Sequence, residues 1–93
     1  MKKLFIVLDA FLDKSQRTVQ SCHAVASWCQ EHPAWLQEWN RPDAGHIVVK
    51  KAKDLEAWLP QVDSCFREPY WDNRLTALVA YREEGFAPEL PLA

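Results

Sequence analysis

The first apolar segment of the chain, residues 4–8, is an unbroken Leu-Phe-Ile-Val-Leu run that ends at Asp9. Such a run, rich in branched and aromatic side chains, is typical of a strand that is buried on both faces of a sheet. A segment of helical periodicity follows, in which Ser15 is suited to cap the first turn. Its apolar positions recur at three- and four-residue steps and are Val19, Cys22, Ala26 and Cys29. The pattern predicts a central strand and then a helix that runs to about residue 32.

The next segment predicts a short second helix and a second strand. Pro33 suits the first position of the helix, and Trp35 and Trp39, four residues apart, would share one of its faces. Residues 46–50 form another apolar run and predict a second buried strand. Because a strand, helix, strand order requires a crossover connection, the first two strands should be parallel.

The second half of the chain predicts one more short helix and two more strands. Asp54 is suited to cap this helix and Pro60 to end it. Residues 62–67 and 75–81 predict the third and fourth strands. The short connection between them has no room for a crossover helix, so these two strands should pair antiparallel. The expected fold is a single α/β domain with a four-stranded mixed sheet and flanking helices, in the order β-α-α-β-α-β-β.

Length and charge narrow the range of functions. A chain of 93 residues supplies one small domain, which we place at residues 1–84. Residues 85–93 contain Gly and Pro and show no periodicity, so they predict an extended surface tail. The formal net charge of −2 lacks the overall basicity of strong nucleic-acid binders. Any contact with nucleic acid must therefore come from a local patch.

The cysteines and the first residues indicate a cytoplasmic protein. Cys22, Cys29 and Cys65 are an odd number without CxxC spacing, so no disulfide framework is expected. The basic start of the chain precedes an apolar run that is too short for a signal peptide, and no run reaches membrane-spanning length. Cys22 and Cys29 lie about 10 Å apart along a helix, too far to bind one zinc ion together. We expect no metal, no cofactor and no membrane contact.

A short motif in the first helix carries a family resemblance. The chain reads Val-Gln-Ser-Cys-His-Ala over residues 19–24, soon after the first strand. Gln20, His23 and Ala24 match the Gly-Lys-x-Ala-Ala-Gln-x-x-His-Ala pattern of the peptidyl-tRNA hydrolase 2 family. In this motif and in element order over about residues 3–81, the chain resembles a small bacterial and phage-type branch of that superfamily. The resemblance implies a small mixed sheet with helices on both faces.

The chain departs from the family pattern at three places. Gln16 stands where the family has its catalytic Lys. After the third strand, where the family has Asp-Ala-Gly-x-Thr, Glu68 could replace the Asp, and Asp72 falls at the Thr. The family's C-terminal helix is absent. The resemblance implies a hydrolase-like protein that acts on, or binds, the ester-linked 3′ end of a peptidyl or aminoacyl RNA such as tRNA. The alternative is a non-catalytic interaction or RNA-binding module that kept the fold without the Lys.

Ester hydrolysis requires a group that deprotonates or orients water and donors that stabilise the developing oxyanion. Glu68 is the candidate base, and Gln16 and Gln20 are candidate donors together with free N–H groups at the start of the first helix. In the structural alternative, Glu68 is only an acidic residue at a strand end, paired with Arg67 or Arg17.

His23 is a candidate substrate contact because it shares a helix face with Gln20, three residues earlier. Its structural alternative is a hydrogen bond from the ring to a backbone carbonyl of the sheet, which would lock the helix to a strand. Arg67, near the end of the third strand, is a further candidate for substrate binding.

Cationic and aromatic residues complete the candidate RNA contacts. Lys14 and Arg17, with the lysines at positions 50, 51 and 53, are dense enough to hold phosphates. Lysines after an edge strand also deter sheet-to-sheet association, which is their structural alternative. Trp71 is not explained by periodicity and, like Tyr70, suits stacking on a terminal base or contact with a second copy of the chain.

Overall fold

The first apolar run forms a central strand, as its pattern predicts, in the computed structural model, which describes residues 1–93. The helices and strands occur in the order β1 (Lys2–Asp9), α1 (Lys14–Glu31), α2 (Pro33–Trp39), β2 (Ile47–Ala52), a 3₁₀ segment (Glu56–Gln61), β3 (Ser64–Glu68), a 3₁₀ turn (Pro69–Trp71) and β4 (Arg74–Glu83).

The four strands form one mixed sheet in the order β2-β1-β4-β3. Strands β1 and β2 are parallel, and β4 is antiparallel to both β1 and β3, which confirms the predicted pairing. It follows that β1, β2 and β3 run in the same direction. Their carboxyl ends, at Asp9, Ala52 and Glu68, therefore lie at one edge of the sheet, where ligands of open α/β sheets commonly bind.

Alternate residues of β1 fill two separate apolar clusters. Leu4, Ile6 and Leu8 face α1 and join a cluster that includes Trp28. Val7 faces the opposite side and packs with residues of the 3₁₀ segment and of β4. Because side chains alternate across a strand, an unbroken apolar run is needed when both faces are covered.

The N-cap of helix α1 lies two residues before the position that the sequence suggested. Asp13, and not Ser15, is the N-cap residue, and its Oδ1 accepts a hydrogen bond from the backbone N–H of Gln16 at 2.8 Å. Ser15 instead donates its hydroxyl to the same Asp13 oxygen at 3.0 Å. Both residue types are good caps. Local preference alone did not distinguish them.

The predicted apolar stripe of α1 is wrong. The buried residues of the helix are Gln20, Ala24 and Trp28, which recur every four residues, whereas Val19 and Cys22 are exposed. The observed stripe differs because Cys22 lies at the surface and the polar Gln20 takes a core position. A buried glutamine requires hydrogen-bond partners inside the fold, and these are supplied by tertiary contacts.

Strand β2 lies at a sheet edge, so its prediction as a fully buried strand is wrong. Ile47 is half exposed. The C-terminal residues cover the outer side of β2, where Lys51 donates its backbone N–H to Pro91 O at 3.1 Å and Ala93 donates to Val49 O at 3.0 Å. The C-terminal segment, residues 85–93, is therefore more than a surface tail. It forms main-chain hydrogen bonds with the edge strand β2.

The third helix is a 3₁₀ segment that contains Pro60, and no side chain caps its start. Asp54 therefore does not cap it, and Pro60 does not end it, because a short 3₁₀ segment tolerates proline where a longer α-helix would not. None of the helices combines the length and the apolarity that a crossing of a lipid bilayer requires.

Replacing Trp28 by Ala should destabilise the domain by about 3 to 5 kcal/mol, because a fully buried aromatic side chain is lost from the main apolar cluster. Val19→Ala, on the exposed face of the same helix, is the matched control and should change the free energy of unfolding by no more than about 0.5 kcal/mol. Urea unfolding of both variants measures the difference. Equal losses would contradict the observed orientation of α1.

Candidate functional site

The carboxyl-end edge of the sheet gathers the polar side chains of the candidate site. Glu68 ends β3 and is buried to 8% exposure. Its Oε2 accepts a hydrogen bond from Gln20 Nε2 at 2.9 Å, and its Oε1 accepts the backbone N–H of Tyr70 at 3.2 Å. The hydrogen bond from Gln20 is the main cause that lowers the pKa of Glu68, followed by that from Tyr70. Glu68 is therefore held as a carboxylate.

Gln20 connects Glu68 to the centre of the sheet. Its Oε1 accepts the hydroxyl of Thr76 in β4 at 2.7 Å, while its Nε2 also reaches Oε1 of Gln16 at 3.3 Å. Gln20 and Thr76 are fully buried. A hydrogen-bonded chain thus runs from β4 through α1 to β3. Gln20 is placed under the site as a support for Glu68, and its amide is fully engaged within the protein.

His23 lies above this chain on the exposed side of α1. Its ring stacks on the ring of Phe66 in β3, with centroids 4.6 Å apart and planes inclined by 8°. This ring stack, rather than the expected hydrogen bond to a carbonyl, holds His23 against the sheet. It is His32 whose ring contacts a backbone carbonyl, that of Asp63, at 3.3 Å. His23 and Glu68 line one depression at this edge, so the two side chains are neighbours.

Two adjoining depressions open at this edge. The first, of about 300 Å³, is lined by Gln16, Val19, His23, Glu68, Tyr70 and Trp71. The second, of about 400 Å³, is lined by Phe11, Leu12, Asp13, Gln16, Trp71 and Arg74. Gln16 and Trp71 line both and therefore separate them. Of the predicted site residues, the fold brings together Gln16, Gln20, His23, Glu68 and Trp71.

Three predicted substrate-binding residues lie elsewhere. Lys14 and Arg17 line a separate depression beside β1 and β2, and Arg17 Nε donates to the carbonyl of Leu12 at 3.2 Å. Arg67 forms an ion pair with Glu56 at 3.3 Å. Neither Arg17 nor Arg67 pairs with Glu68, so the ion pair proposed as its structural alternative is wrong.

The predicted group of phosphate-binding lysines is also incomplete. Lys50 is buried, and its Nζ donates to the carbonyl of Ala87 in the C-terminal segment at 2.7 Å. Its ammonium therefore faces the interior of the fold and contributes nothing to a cationic surface. Lys51 and Lys53 remain partly or fully exposed.

The N-terminus of α1 carries a negative charge of its own. The backbone hydrogen bond from Gln16 is the main cause that lowers the pKa of Asp13, so this carboxyl stays ionised. A carboxylate at the N-cap offsets the positive end of the helix dipole and occupies one of its free donors. The expected contribution of these donors to oxyanion binding is correspondingly reduced.

Sequence reasoning missed two polar elements of the site. Asp9 is buried, accepts the backbone N–H of Phe11 at 3.0 Å and pairs with Arg74, whose Nε lies 2.9 Å from Asp9 Oδ2. Thr76 is the other. In the sequence, Thr76 stands out as a hydroxyl between apolar neighbours of the predicted fourth strand. Asp9 stands out as a carboxylate directly after the first buried apolar run.

No three or more His, Cys, Asp or Glu side chains are grouped so that they could bind a metal ion. Comparison of the sequence with protein-family models and with curated proteins finds no match. The chemistry of the edge must therefore be judged from the geometry of its own residues.

The lowered pKa of Glu68 makes a prediction about stability and pH. Because folding favours its carboxylate, Glu68 stabilises the fold fully above its ordinary pKa of 4.5, and the contribution disappears as the pH falls through the lower folded value. Glu68→Gln should therefore lower the urea midpoint at pH 7, and the gap to the unaltered protein should close towards pH 3. Glu56→Gln, at an exposed carboxylate, is the control and should show a smaller gap. A gap independent of pH would contradict this role.

Proposed function

We propose that the carboxyl-end edge binds the ester-linked 3′ end of a peptidyl or aminoacyl RNA and hydrolyses the ester. The observation that supports this most is the buried chain from Thr76 through Gln20 to Glu68, which ends in a depression shared with His23 and Gln16. Buried polar chains are costly unless every member is satisfied, and they fix the geometry of the groups that they hold. Here the chain holds the carboxylate of Glu68 beside the accessible imidazole of His23.

The geometry favours His23 over Glu68 as the general base. The hydrogen bonds from Gln20 and Tyr70 lower the pKa of Glu68 and so make its carboxylate a weaker base. Two donors also occupy the Glu68 carboxylate. Glu68 is better suited to stabilise the imidazolium that forms when His23 takes up a proton. The proposed role of general base therefore moves from Glu68, which the sequence suggested, to His23.

In the proposed reaction, water attacks the carbonyl carbon of the ester while His23 accepts one of its protons. The negative charge that develops on the carbonyl oxygen is stabilised by the side-chain amide of Gln16, whose Oε1 faces Gln20 and whose NH₂ group is left for the substrate. The C–O bond to the RNA 3′ oxygen then breaks, and the imidazolium returns its proton to that oxygen. Gln20 is a positioning residue in this scheme.

A second candidate function is binding of the acylated RNA end without hydrolysis. It is favoured by Gln16, a neutral side chain where the resembling family has an ammonium, and by the carboxylate of Asp13 at the start of α1. Both features reduce the positive charge available to a developing oxyanion. A second copy of the chain at Trp71 remains the candidate for a protein partner.

Release of the acyl group from purified peptidyl-tRNA tests the first candidate. His23→Gln should lower the release rate by about 10²-fold or more, because the general base is removed. Glu68→Gln should cause a smaller loss. Cys22→Ser, at the exposed neighbour of His23, is the matched control and should retain the rate.

Loss of release in Glu68→Gln with release retained in His23→Gln would return the role of base to Glu68. Binding of acylated RNA by the unaltered protein without any release would replace hydrolysis by the second candidate. In that case, Gln16→Lys, which restores an ammonium, should produce measurable release if the missing charge is the cause.

A further inference from the structure

Three aromatic side chains without an aromatic partner all lie at the carboxyl-end edge. They are Phe11, Tyr70 and Trp71, exposed to 72%, 93% and 39% respectively. Every other Phe, Trp and Tyr contacts a second aromatic ring within the fold, in the pairs Phe5–Phe86, His23–Phe66, Trp28–Trp39, Trp35–Tyr81 and Trp58–Phe86. No other ring of the fold covers these three partly or largely exposed side chains, and their shared position singles out this edge.

Phe11 and Trp71 line the larger of the two depressions, next to the site proposed for hydrolysis. Its volume of about 400 Å³ is within the usual range for sites that bind small molecules. The loop that carries Phe11 is fixed, because the backbone N–H of Phe11 donates to Asp9 and the backbone N–H of Leu12 donates to the carbonyl of Asp9 at 3.1 Å. Phe11 is thus exposed on a supported loop.

Three polar side chains in this depression keep hydrogen-bonding atoms free. Asp13 uses Oδ1 for both of its contacts within the chain, which leaves Oδ2 as an acceptor. Gln16 accepts from Gln20 through Oε1, which leaves its NH₂ group as a donor. Arg74 is held by Asp9 through Nε and Nη2, while its side chain remains 53% exposed and its Nη1 makes no hydrogen bond within the chain. The depression thus combines aromatic faces with one acceptor and two donors.

We propose that Phe11 and Trp71 bind one nucleobase of the RNA end, with Asp13 Oδ2 accepting from the exocyclic amine of adenine or cytosine. One N–H of the Gln16 NH₂ group donates to the neighbouring ring nitrogen while the other stays available to the ester oxygen, and Arg74 donates to a sugar or phosphate oxygen. Aromatic, carboxylate, amide and guanidinium side chains are those that commonly stack on bases or read their edges. The inference rests on the proposed function for the identity of the RNA end and assigns it a base-binding subsite.

A nucleobase fits this depression better than a protein surface. Stable protein interfaces bury about 800 Å² on each partner around an apolar centre, whereas the rim here alternates charged and amide groups with isolated aromatic rings. A flat heterocycle with a donor and an acceptor on one edge uses both kinds of group at once. The exocyclic amine also leads us to expect a preference for adenine and cytosine over uracil. Uracil presents a carbonyl oxygen at the same place, and this oxygen would face the Asp13 carboxylate.

Titration of the ¹⁵N-labelled protein with AMP, CMP and UMP tests the subsite directly, without an ester. The indole signal of Trp71 is identified by its loss in Trp71→Phe. We expect AMP and CMP to shift this signal, with little effect on the four other indoles, and UMP to bind more weakly. Phe11→Ala should weaken AMP binding by about fivefold or more, as expected for loss of a stacking face. Ile47→Ala, an exposed apolar residue on β2, is the control and should leave the affinity unchanged.

Asp13→Asn tests the edge contact while preserving the helix cap. Asn caps helices as well as Asp does, and capping fixes its carbonyl oxygen towards Gln16, so its NH₂ group takes the place of Oδ2. The preference for AMP and CMP over UMP should then be lost or reversed. An unaltered preference would contradict the assigned role of Asp13.

Absence of any nucleotide-dependent shift at Trp71 would overturn the proposal, as would equal shifts of all five indoles. A Trp71 signal that moves on dilution of the protein alone would identify a second copy of the chain as the occupant and overturn it too. Failure of ester release leaves this titration unaffected, so nucleotide binding without release would retain the subsite and reject hydrolysis. Release without nucleotide binding would support hydrolysis and reject the base-binding subsite.

Discussion

The arrangement of this small domain depends on one buried polar contact, the bridge that Gln20 makes between Thr76 and Glu68. Its amide oxygen faces the sheet and its amide nitrogen faces the end of β3. A buried glutamine without these partners would cost about 1 to 3 kcal/mol for each unsatisfied group. The requirement to satisfy it fixes both the rotation of α1 and the position of the strand end that it meets. Ala24 and Trp28 are buried on the same face of the helix and add apolar contacts to this bridge.

This constraint separates the two faces of α1 into different roles. The inner face joins the helix to the apolar cluster that contains Trp28, and the flank next to it presents His23 and Gln16 to solvent beside Glu68. A carboxylate with a hydrogen bond already at each oxygen suits electrostatic support of a neighbouring cation better than proton transfer. The accessible polar groups at this edge are therefore the imidazole of His23 and the amide of Gln16. Both lie beside the buried hydrogen-bonded chain of Thr76, Gln20 and Glu68.

The distribution of charge also follows from tertiary contacts. Lys50 is buried against the C-terminal segment, Arg67 pairs with Glu56, and Arg74 pairs with Asp9. The cations that appear dense in sequence are thus dispersed over separate surfaces or neutralised. What the edge offers in place of positive charge is a set of exposed aromatic rings and directed hydrogen-bonding groups. Such a surface suits the nucleobase contact proposed above, because stacking and edge contacts depend less on positive charge than phosphate contacts do.

The sequence by itself determined the α/β class, the central place of β1 and the parallel and antiparallel pairings. These depend on unbroken apolar runs and on connection lengths, both of which are local properties of the chain. It also identified Glu68, His23 and Gln16 as candidate site residues, from the motif in the first helix and the segment after the third strand. Only the tertiary structure decided that Gln20 is buried, that β2 is an edge strand and that Arg67 lies away from the site. Each of these depends on which residue, distant in sequence, supplies a hydrogen-bond partner or covers an edge, and periodicity along one segment contains no information about that choice.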